Sequence, residues 1–391
     1  MAKEGCFFKS ECGMVLYTSL LILSLLMALG MGAFVSTRNN FRISSNLRGE
    51  SVAFYLAEAG IEWSKSRIGG ATTHPPDSLE TMQALAQGTF AVSTLTSAVL
   101  SPLVAKSIVR STGNFAGSSS AVQAQITKTY DLADAALALR GNAGQFRFTG
   151  ESFVLSGMDH DPVAGGTIPG SKSYPGVSVP DETVKERIEN ELSSGQLENI
   201  IGKDKSGASV AISDFLSAPS IRQLADDLCG AAHAIVNSVP SEGELSVENE
   251  SWGNRASPQL RCIEGRSAAG DAIRFNGNFT GAGILVVRNA EMVLSGAYRW
   301  DGLILLSGNN VALKVVGEEL KEIYGSLMIN DTGTYSDSNP PSIDIQGSIR
   351  ALFSRTALAN VGPLVPTETM SRLYSVLPFN VIQNYWRIVT P

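Results

Sequence analysis

Apolar and polar positions divide the chain into stretches of different rhythm. From Met14 to Val35 there is no charge, and Leu, Met, Ile, Val, Ala and Gly predominate. As a helix this stretch reaches roughly 33 Å, the depth of a bilayer's hydrocarbon core. A cleaved secretory signal has an apolar core of only about 7–15 residues. The length therefore predicts a retained membrane helix, although Ala28 and Gly30 imitate a small-residue cleavage exit. Beyond Val35 the pattern becomes amphipathic. Phe41, Ser45, Arg48, Val52, Leu56, Ala59 and Trp63 recur at steps of three or four, and no proline occurs before Pro75. Together the two patterns predict one helix from Met14 to about Ile68, roughly 80 Å long. Gly30, Gly32, Gly49 and Gly60 each weaken it by about 1 kcal/mol relative to Ala. Its outer half needs a partner to cover Phe54, Ile61 and Trp63.

Past a loop around "THPPD", alternating runs "TFAVSTLTSAV", "AKSIVRST" and "AVQAQITKTY" predict three strands between Thr89 and Tyr130, with "GNFAGSSS" as a turn. A small antiparallel sheet over the outer half of the helix is the physical expectation. "DLADAALALR" reads as a short helix. Residues 145–180 read as a strand and a long Gly/Pro loop, and residues 180–202 and 213–238 as helices packed on the sheet. In 275–361, Gly283, Gly302, Gly325 and Gly347 each precede a short apolar run, "ILVV", "LILL", "SLMI" and "SIRA". Regular spacing with glycine at the corners predicts a β-solenoid; an irregular antiparallel meander is the alternative. The aromatic tail, "SRLYSVLPFNVIQNYWRIVTP", is expected to cap the solenoid's open end.

The predicted fold class is α+β: a long N-terminal transmembrane helix continuing into an antiparallel sheet, plus a C-terminal Gly-rich β-solenoid-like domain. The boundaries are residues 1–13 for a leader, 14–70 for the spine helix and 71–150 for the sheet. Residues 151–262 form a loop and helical insertion, and 263–391 the solenoid-like domain with its aromatic cap.

Charge and composition narrow the function classes. The 391 residues carry a net charge of −7, 38 glycines and three histidines. No long Lys/Arg run marks a nucleic-acid surface, and the scarcity of histidine argues against His-dependent catalysis or metal binding. Lys3 and Lys9 before the apolar segment are offset by Glu4 and Glu11, while Arg38, Arg42 and Arg48 follow it. The positive-inside rule thus gives no clear orientation. The large portion after the helix places the N-terminus inside. Cys229 and Cys262 fit either one disulfide in an oxidising compartment or two unrelated buried thiols.

The stretch "NLRGESVAFYLAEAGIE", preceded by an apolar helix and a Gly13–Met14 junction, resembles the PilX N-terminal class of type IV pilus minor pilins and assembly proteins. The Gly-rich "GILVV" and "LSG" repeats are similar to those of its long members. The resemblance implies cleavage after Gly13 by a prepilin peptidase and an N-terminal Met14, open to methylation. It also implies packing of the helix against other pilins and minor pilins through Thr18, Phe41, Arg48, Val52 and Glu58. It implies an inner-membrane precursor with a periplasmic head, and a cell-surface pilus after assembly. Two departures stand out: Glu11 and Cys12 occupy positions usually basic and polar, and Thr18 stands where most major pilins carry Glu. In the family that Glu neutralises a neighbour's N-terminal amine, so Thr18 points to a tip or initiating subunit rather than the repeating shaft.

Chemical motifs are weak. "GGTIPGSKS" at Gly165–Ser173 imitates a phosphate loop but has Ser171 between the required Gly and Lys. Asp159, His160 and Asp161 alternate sides in an extended chain and read as a solvated turn, as does the "EELKE" run at 318–322. "GESFV" at Gly150–Val154 lacks the second glycine of a nucleophile elbow. Trp63, Trp252, Trp300 and Trp386 are scattered, and Trp300 reads as packing. No catalytic constellation, cofactor site or metal site emerges, so an enzyme is not expected. The function expected is a minor pilin-like subunit at the tip or initiation point of a pilus. Alternatives are a type II secretion tip pseudopilin, and a membrane-tethered β-solenoid adhesin that never enters a filament.

Overall fold

The computed structural model describes residues 11–141, 146–149, 152–203, 209–266, 270–333 and 342–390. Helix α1 (Glu11–Gly70) runs without interruption for 60 residues, about 90 Å. From Met14 to Arg48 every residue is exposed, and Gly49 is the first buried one. Four strands follow as a meander: β1 (Glu80–Leu85), β2 (Gly88–Ser101), β3 (Val104–Phe115) and β4 (Ser118–Tyr130), each antiparallel to the next. The β-prone runs are thus strands, joined by an additional one at Glu80–Leu85.

The sheet sits on α1 at backbone distance. A side chain on Gly113 of β3 would place its Cβ 2.0 Å from the Ala53 carbonyl oxygen and 2.6 Å from the Ala57 nitrogen. A Cβ on Gly60 would meet Ser111 Oγ at 2.1 Å. Ala53, Ala57, Gly60 and Ser64 recur along one helix face, and all are buried. Around this smooth track Leu56, Ile61 and Ile68 sink below the sheet. The buried stripe therefore differs from the expected one. Val52, Ala59 and Trp63 are half-buried flanks, and Phe41, Ser45 and Arg48 are exposed. The track that packs most closely carries the smallest residues, so large side chains flank the contact. Phe54 meets Trp386 edge-on with ring centroids 5.7 Å apart, and Trp63 lies 6.3 Å from Phe90.

The C-terminal end of α1 is fastened by Lys128 of β4. Its side chain is 1% exposed, and Nζ donates to the carbonyls of Gly69 (2.9 Å) and Ala71 (2.6 Å). A cation at a helix C-terminus satisfies orphan carbonyls and complements the dipole. The rings of Tyr130 and Phe379 flank the same ammonium, each at 4.6 Å.

Beyond Tyr130 the chain enters two parallel sheets. Their elements, in chain order, are β5 (Leu137–Gly141), β6 (Phe146–Phe148), β7 (Phe153–Ser156), β8 (Val177–Val179), α2 (Glu182–Glu191), α3 (Ser194–Leu197), β9 (Ile200–Ile201), β10 (Val210–Ile212) and α4 (Ala218–Cys229). Then come β11 (Ile235–Ser238), β12 (Glu244–Glu248), β13 (Ser251–Trp252), β14 (Gln259–Glu264), β15 (Ala272–Asn276), β16 (Asn278–Arg288), β17 (Glu291–Leu294), β18 (Ala297–Gly308), β19 (Ala312–Val315), β20 (Lys321–Asp331), β21 (Ile343–Ile345) and β22 (Ile349–Phe353). Helices α5 (Arg355–Val361) and α6 (Thr367–Leu373) follow. From β14 to β22 the chain alternates between a twelve-stranded and a six-stranded sheet, the latter ordered β12-β15-β17-β19-β21-β6. Neighbours run parallel throughout, which excludes the antiparallel meander.

Register explains the repeated glycine. Gly283, Gly302 and Gly325 are direct partners on β16, β18 and β20. Their φ values are 140°, 142° and 137°, and a Cβ on Gly302 would lie 2.0 Å from the Gly283 carbonyl oxygen. Only glycine fits such a column. Gly347 is not its fourth member; it stacks on Gly317 at a different corner. Beside β20 the next layer is stitched from two remote segments, β22 along its first half and β5 along its second. The parallel body therefore draws strands from Leu137 onward. The boundaries expected at residues 150 and 262 do not separate bodies.

Three other expectations need correction. "DLADAALALR" is not a helix: residues 131–136 are irregular and 137–141 form β5, because its apolar side chains fill the stack beside β20. Residues 213–238 hold only α4, followed by β11. The aromatic tail does not cap the parallel stack. Strand β23 (Phe379–Val389) pairs antiparallel with β4 and completes a sheet ordered β1-β2-β3-β4-β23. It covers an edge of the sheet on α1, where Val381 packs with the core of that sheet. Cys229 and Cys262 form a disulfide with Cα atoms 5.5 Å apart, tying α4 to β14.

Two measurements check this packing. Gly113→Ala should destabilise the head by about 1–3 kcal/mol or more, because the added carbon meets backbone that cannot yield. Gly30→Ala, with no atom within 4 Å of its added carbon, should not; thermal unfolding of the full chain in detergent separates the two. Burial lowers the Lys128 pKa to about 8. The unfolded chain keeps that proton to higher pH, so stability should rise from about pH 8 toward the ordinary lysine range. Lys128→Met should flatten this rise and cost about 1–3 kcal/mol near neutrality by stranding two carbonyls, as read by denaturant titration across that pH window.

Candidate assembly interface

The largest unpartnered apolar surface among the described residues is the inner half of α1. Met14, Leu16, Phe34 and Phe41 are each about 70% exposed (72%, 68%, 68% and 72%), and the stretch from Met14 to Thr37 contains no charge. The apolar surface continues past the first arginines through Ile43 and Leu47. One helix is thus long and apolar enough to cross a membrane. The fully exposed stretch outlasts the roughly 30 Å of a bilayer core and gives way at Gly49 to a helix with one face covered by the sheet and Tyr55 still exposed on another.

Thr18 lies within this surface. Its Oγ1 donates to its own helix, to the carbonyls of Met14 (3.0 Å) and Val15 (3.1 Å). The hydroxyl is spent locally and supplies no charge to an approaching amine. Gly13 lies in α1 and Met14 is exposed one residue later. Residues 1–10 of the expected leader lie outside the described residues. Phe41 and Arg48 are on the exposed half, whereas Val52 and Glu58 are half-buried where the sheet begins. The five expected packing residues are therefore divided between a free surface and the edge of the internal helix–sheet contact. Small residues at Ala53, Ala57 and Gly60 were the signal for that contact, hidden within "AFYLAEAG".

The remaining motifs resolve into structural roles. Asp159, His160 and Asp161 face three different partners. Asp159 accepts from the Arg355 backbone at 2.8 Å and pairs with its guanidinium at 3.5 Å. His160 Nδ1 lies 2.6 Å from the Met158 carbonyl, and Asp161 accepts from the Val163 nitrogen at 2.7 Å. Asp159 is buried rather than solvated, and burial raises its pKa against the pull of Arg355. The network continues to Asp131, which accepts from Arg355 Nε at 2.7 Å and from the Tyr174 hydroxyl at 2.6 Å. Burial and the Asp131 carboxylate together hold the Tyr174 phenol far above its usual range. Among the described residues no group of three His, Cys, Asp or Glu is arranged to hold a metal.

Within "EELKE", Lys321 is buried and donates to the carbonyls of Gly317 (3.2 Å) and Glu319 (2.7 Å), contrary to a fully solvated run. The lysine folds back over its own turn while Glu322 pairs with Arg350 at 3.0 Å. In "GGTIPGSKS", Lys172 lies over the Tyr174 ring at 4.8 Å and the chain proceeds to strand β8, not a helix. Trp300 is fully buried and stacked on Phe279. Of the "GESFV" motif, Gly150 and Glu151 lie outside the described residues.

No family model matches the chain, and no curated protein matches it. Among solved structures, the chain is similar to the crystal structure of competence-associated pilin ComZ from Thermus thermophilus, at 13% identity and a TM-score of 0.29, over 87% of this chain and 98% of that one. A likeness at that level fixes neither fold nor function.

Proposed function

We propose that the chain is a non-catalytic, membrane-anchored minor pilin-like subunit of the PilX class. Its apolar helix passes from the bilayer into a bundle of similar helices at the tip or initiation point of a pilus. One observation carries this reading. A single unbroken helix has an inner half with no internal partner and an outer half seated on an antiparallel sheet. A lone anchor needs only the membrane-depth segment. The extra exposed turns through Leu47 make sense if other helices cover them. Prepilin peptidase would cut after Gly13, the precursor would reside in the inner membrane with its head in the periplasm, and the assembled subunit would reach the cell surface. We read the parallel sheets as coils of a β-solenoid, whose bulk would hinder repetition along a shaft. Thr18 supports the same placement, because its hydroxyl cannot neutralise a buried amine.

The type II secretion tip pseudopilin shares this helix physics, and a solitary tethered adhesin shares the head. Partners decide among them. Cross-linking in cells from Arg48 or Val52 should join the chain to other pilin-class subunits, and recovery of a solitary protein would favour the tethered alternative. Substituting Gly13 should leave an uncleaved form with slower migration; unchanged migration would refute peptidase processing. Thr18→Glu should move the subunit from one filament end toward incorporation along the shaft, as seen by immunogold labelling of sheared filaments.

A further inference from the structure

The parallel stack has two ends, finished differently. At one end α2 packs against β6, β8 and β10. At the other, β11, β12 and β13 form the outermost layer, and among the described residues no strand pairs with their outer side. Ile235 and Val236 are 40% and 56% exposed there. An open strand edge presents unpaired N–H and C=O groups.

Hydrogen-bond directions identify those groups. The Val239 N–H donates to the Glu264 carbonyl at 2.9 Å, and the Gly243 carbonyl accepts from the Ala272 N–H at 2.9 Å. Along a parallel strand, alternate residues aim their backbone groups at the same neighbour. Val239 and Gly243 face inward, so Val236, Ser238, Glu244, Ser246 and Glu248 direct theirs outward. Charge selects what can meet them. From Ile235 to Asn254 the chain has Glu242, Glu244, Glu248 and Glu250 but no Lys or Arg. All four glutamates are exposed. Glu244 is engaged by Arg274 at 3.0 Å, Glu250 accepts from Trp252 at 2.7 Å with Arg261 near it, and Glu242 lies near Arg266, so Glu248 carries most of the edge's uncompensated charge. Two copies meeting edge to edge would set acid against acid, which disfavours self-pairing.

We infer that this outermost layer accepts a basic, extended segment of another protein as an added strand. Backbone groups of β11 and β12 supply the hydrogen bonds, the exposed Ile235 and Val236 supply apolar contact, and Glu248, with Glu242 just beyond the other end of β12, selects lysine or arginine. This surface lies on the head and operates whether or not the spine helix enters a pilus.

The test uses the full chain in detergent micelles and a fluorescent synthetic peptide of alternating lysine and valine, with a glutamate–valine peptide as counterpart. The basic peptide should bind at least about tenfold more tightly than the acidic one. Val236→Pro with Ser238→Pro removes outward donors while sparing the ladder to β14, and should weaken binding about tenfold with unchanged melting temperature. If that variant melts early, Ser246→Pro on β12 takes its place. Glu242→Lys with Glu248→Lys should reverse the peptide preference. Equal binding by wild type and proline variants, absence of saturable binding, or an unreversed preference in the charge variant would overturn the inference. So would a sedimenting dimer dispersed by the proline substitutions, which would place a second copy on this edge.

Discussion

The structure depends on how closely a sheet can approach a helix. Where β3 crosses α1, Gly113 lies so near the Ala53 carbonyl that one methyl group would collide at 2.0 Å. Packing at this distance requires small residues from both sides, and the helix provides Ala53, Ala57, Gly60 and Ser64 in succession. Those residues contribute little apolar area themselves. Their value is that they let Ile61, Ile68, Phe90 and Val109 close around them into a dry layer. The constraint also explains why glycine is tolerated at position 60, in a helix it otherwise weakens. Lys128 completes the seat by anchoring the last carbonyls of the same helix.

A second fastening joins the sheet on the helix to the parallel stack. Asp131 follows the last residue of β4. It meets Arg355 at the start of α5 and Tyr174 in the long loop, while Asp159 holds the other side of Arg355. Segments carrying Asp131, Asp159 and Tyr174 thus converge on the half-buried Arg355 guanidinium. Removing one partner of such a cluster strands the others in a medium that solvates charge poorly. The "MDHDP" stretch reads as a solvated turn because its charged residues alternate sides in an extended chain. In the fold it is one half of an internal ion pair, and its chemistry is consumed in joining the two bodies.

Legibility followed the range of the interactions involved. The spine helix was readable because hydrophobic length and the absence of proline are local facts. Strands β2 to β4 were readable because each alternates within itself, and "ILVV", "LILL" and "SLMI" were readable because strands buried on both faces become continuous apolar runs. What the sequence concealed depends on distant partners. Residues 137–141 resemble a helix until β20 is placed beside them, and the aromatic tail reads as a cap until β4 offers its edge. Gly347 matched the glycine spacing, yet it belongs to a different corner because β20 is flanked by two separate segments. At the candidate interface, Thr18 and the exposed apolar surface were visible in the sequence. The internal helix–sheet contact was not, since small residues leave little trace in a hydrophobic pattern.

The unbroken helix also couples the interface to the head. Each helical residue advances about 1.5 Å and turns about 100°, and there is no loop between Leu47, in the fully exposed stretch, and Ala53, where the sheet is seated. Whatever fixes the rotation of the inner half therefore fixes the direction in which the parallel stack points. A flexible tether would let the head sample every orientation and would need no register between the two halves. The glycine and alanine track instead locks the sheet to one helix face. Gly49 and Ser118 already meet at the first buried turn, where an added Cβ would lie 2.5 Å from the Ser118 hydroxyl. The head is consequently aimed by whatever orients the inner half.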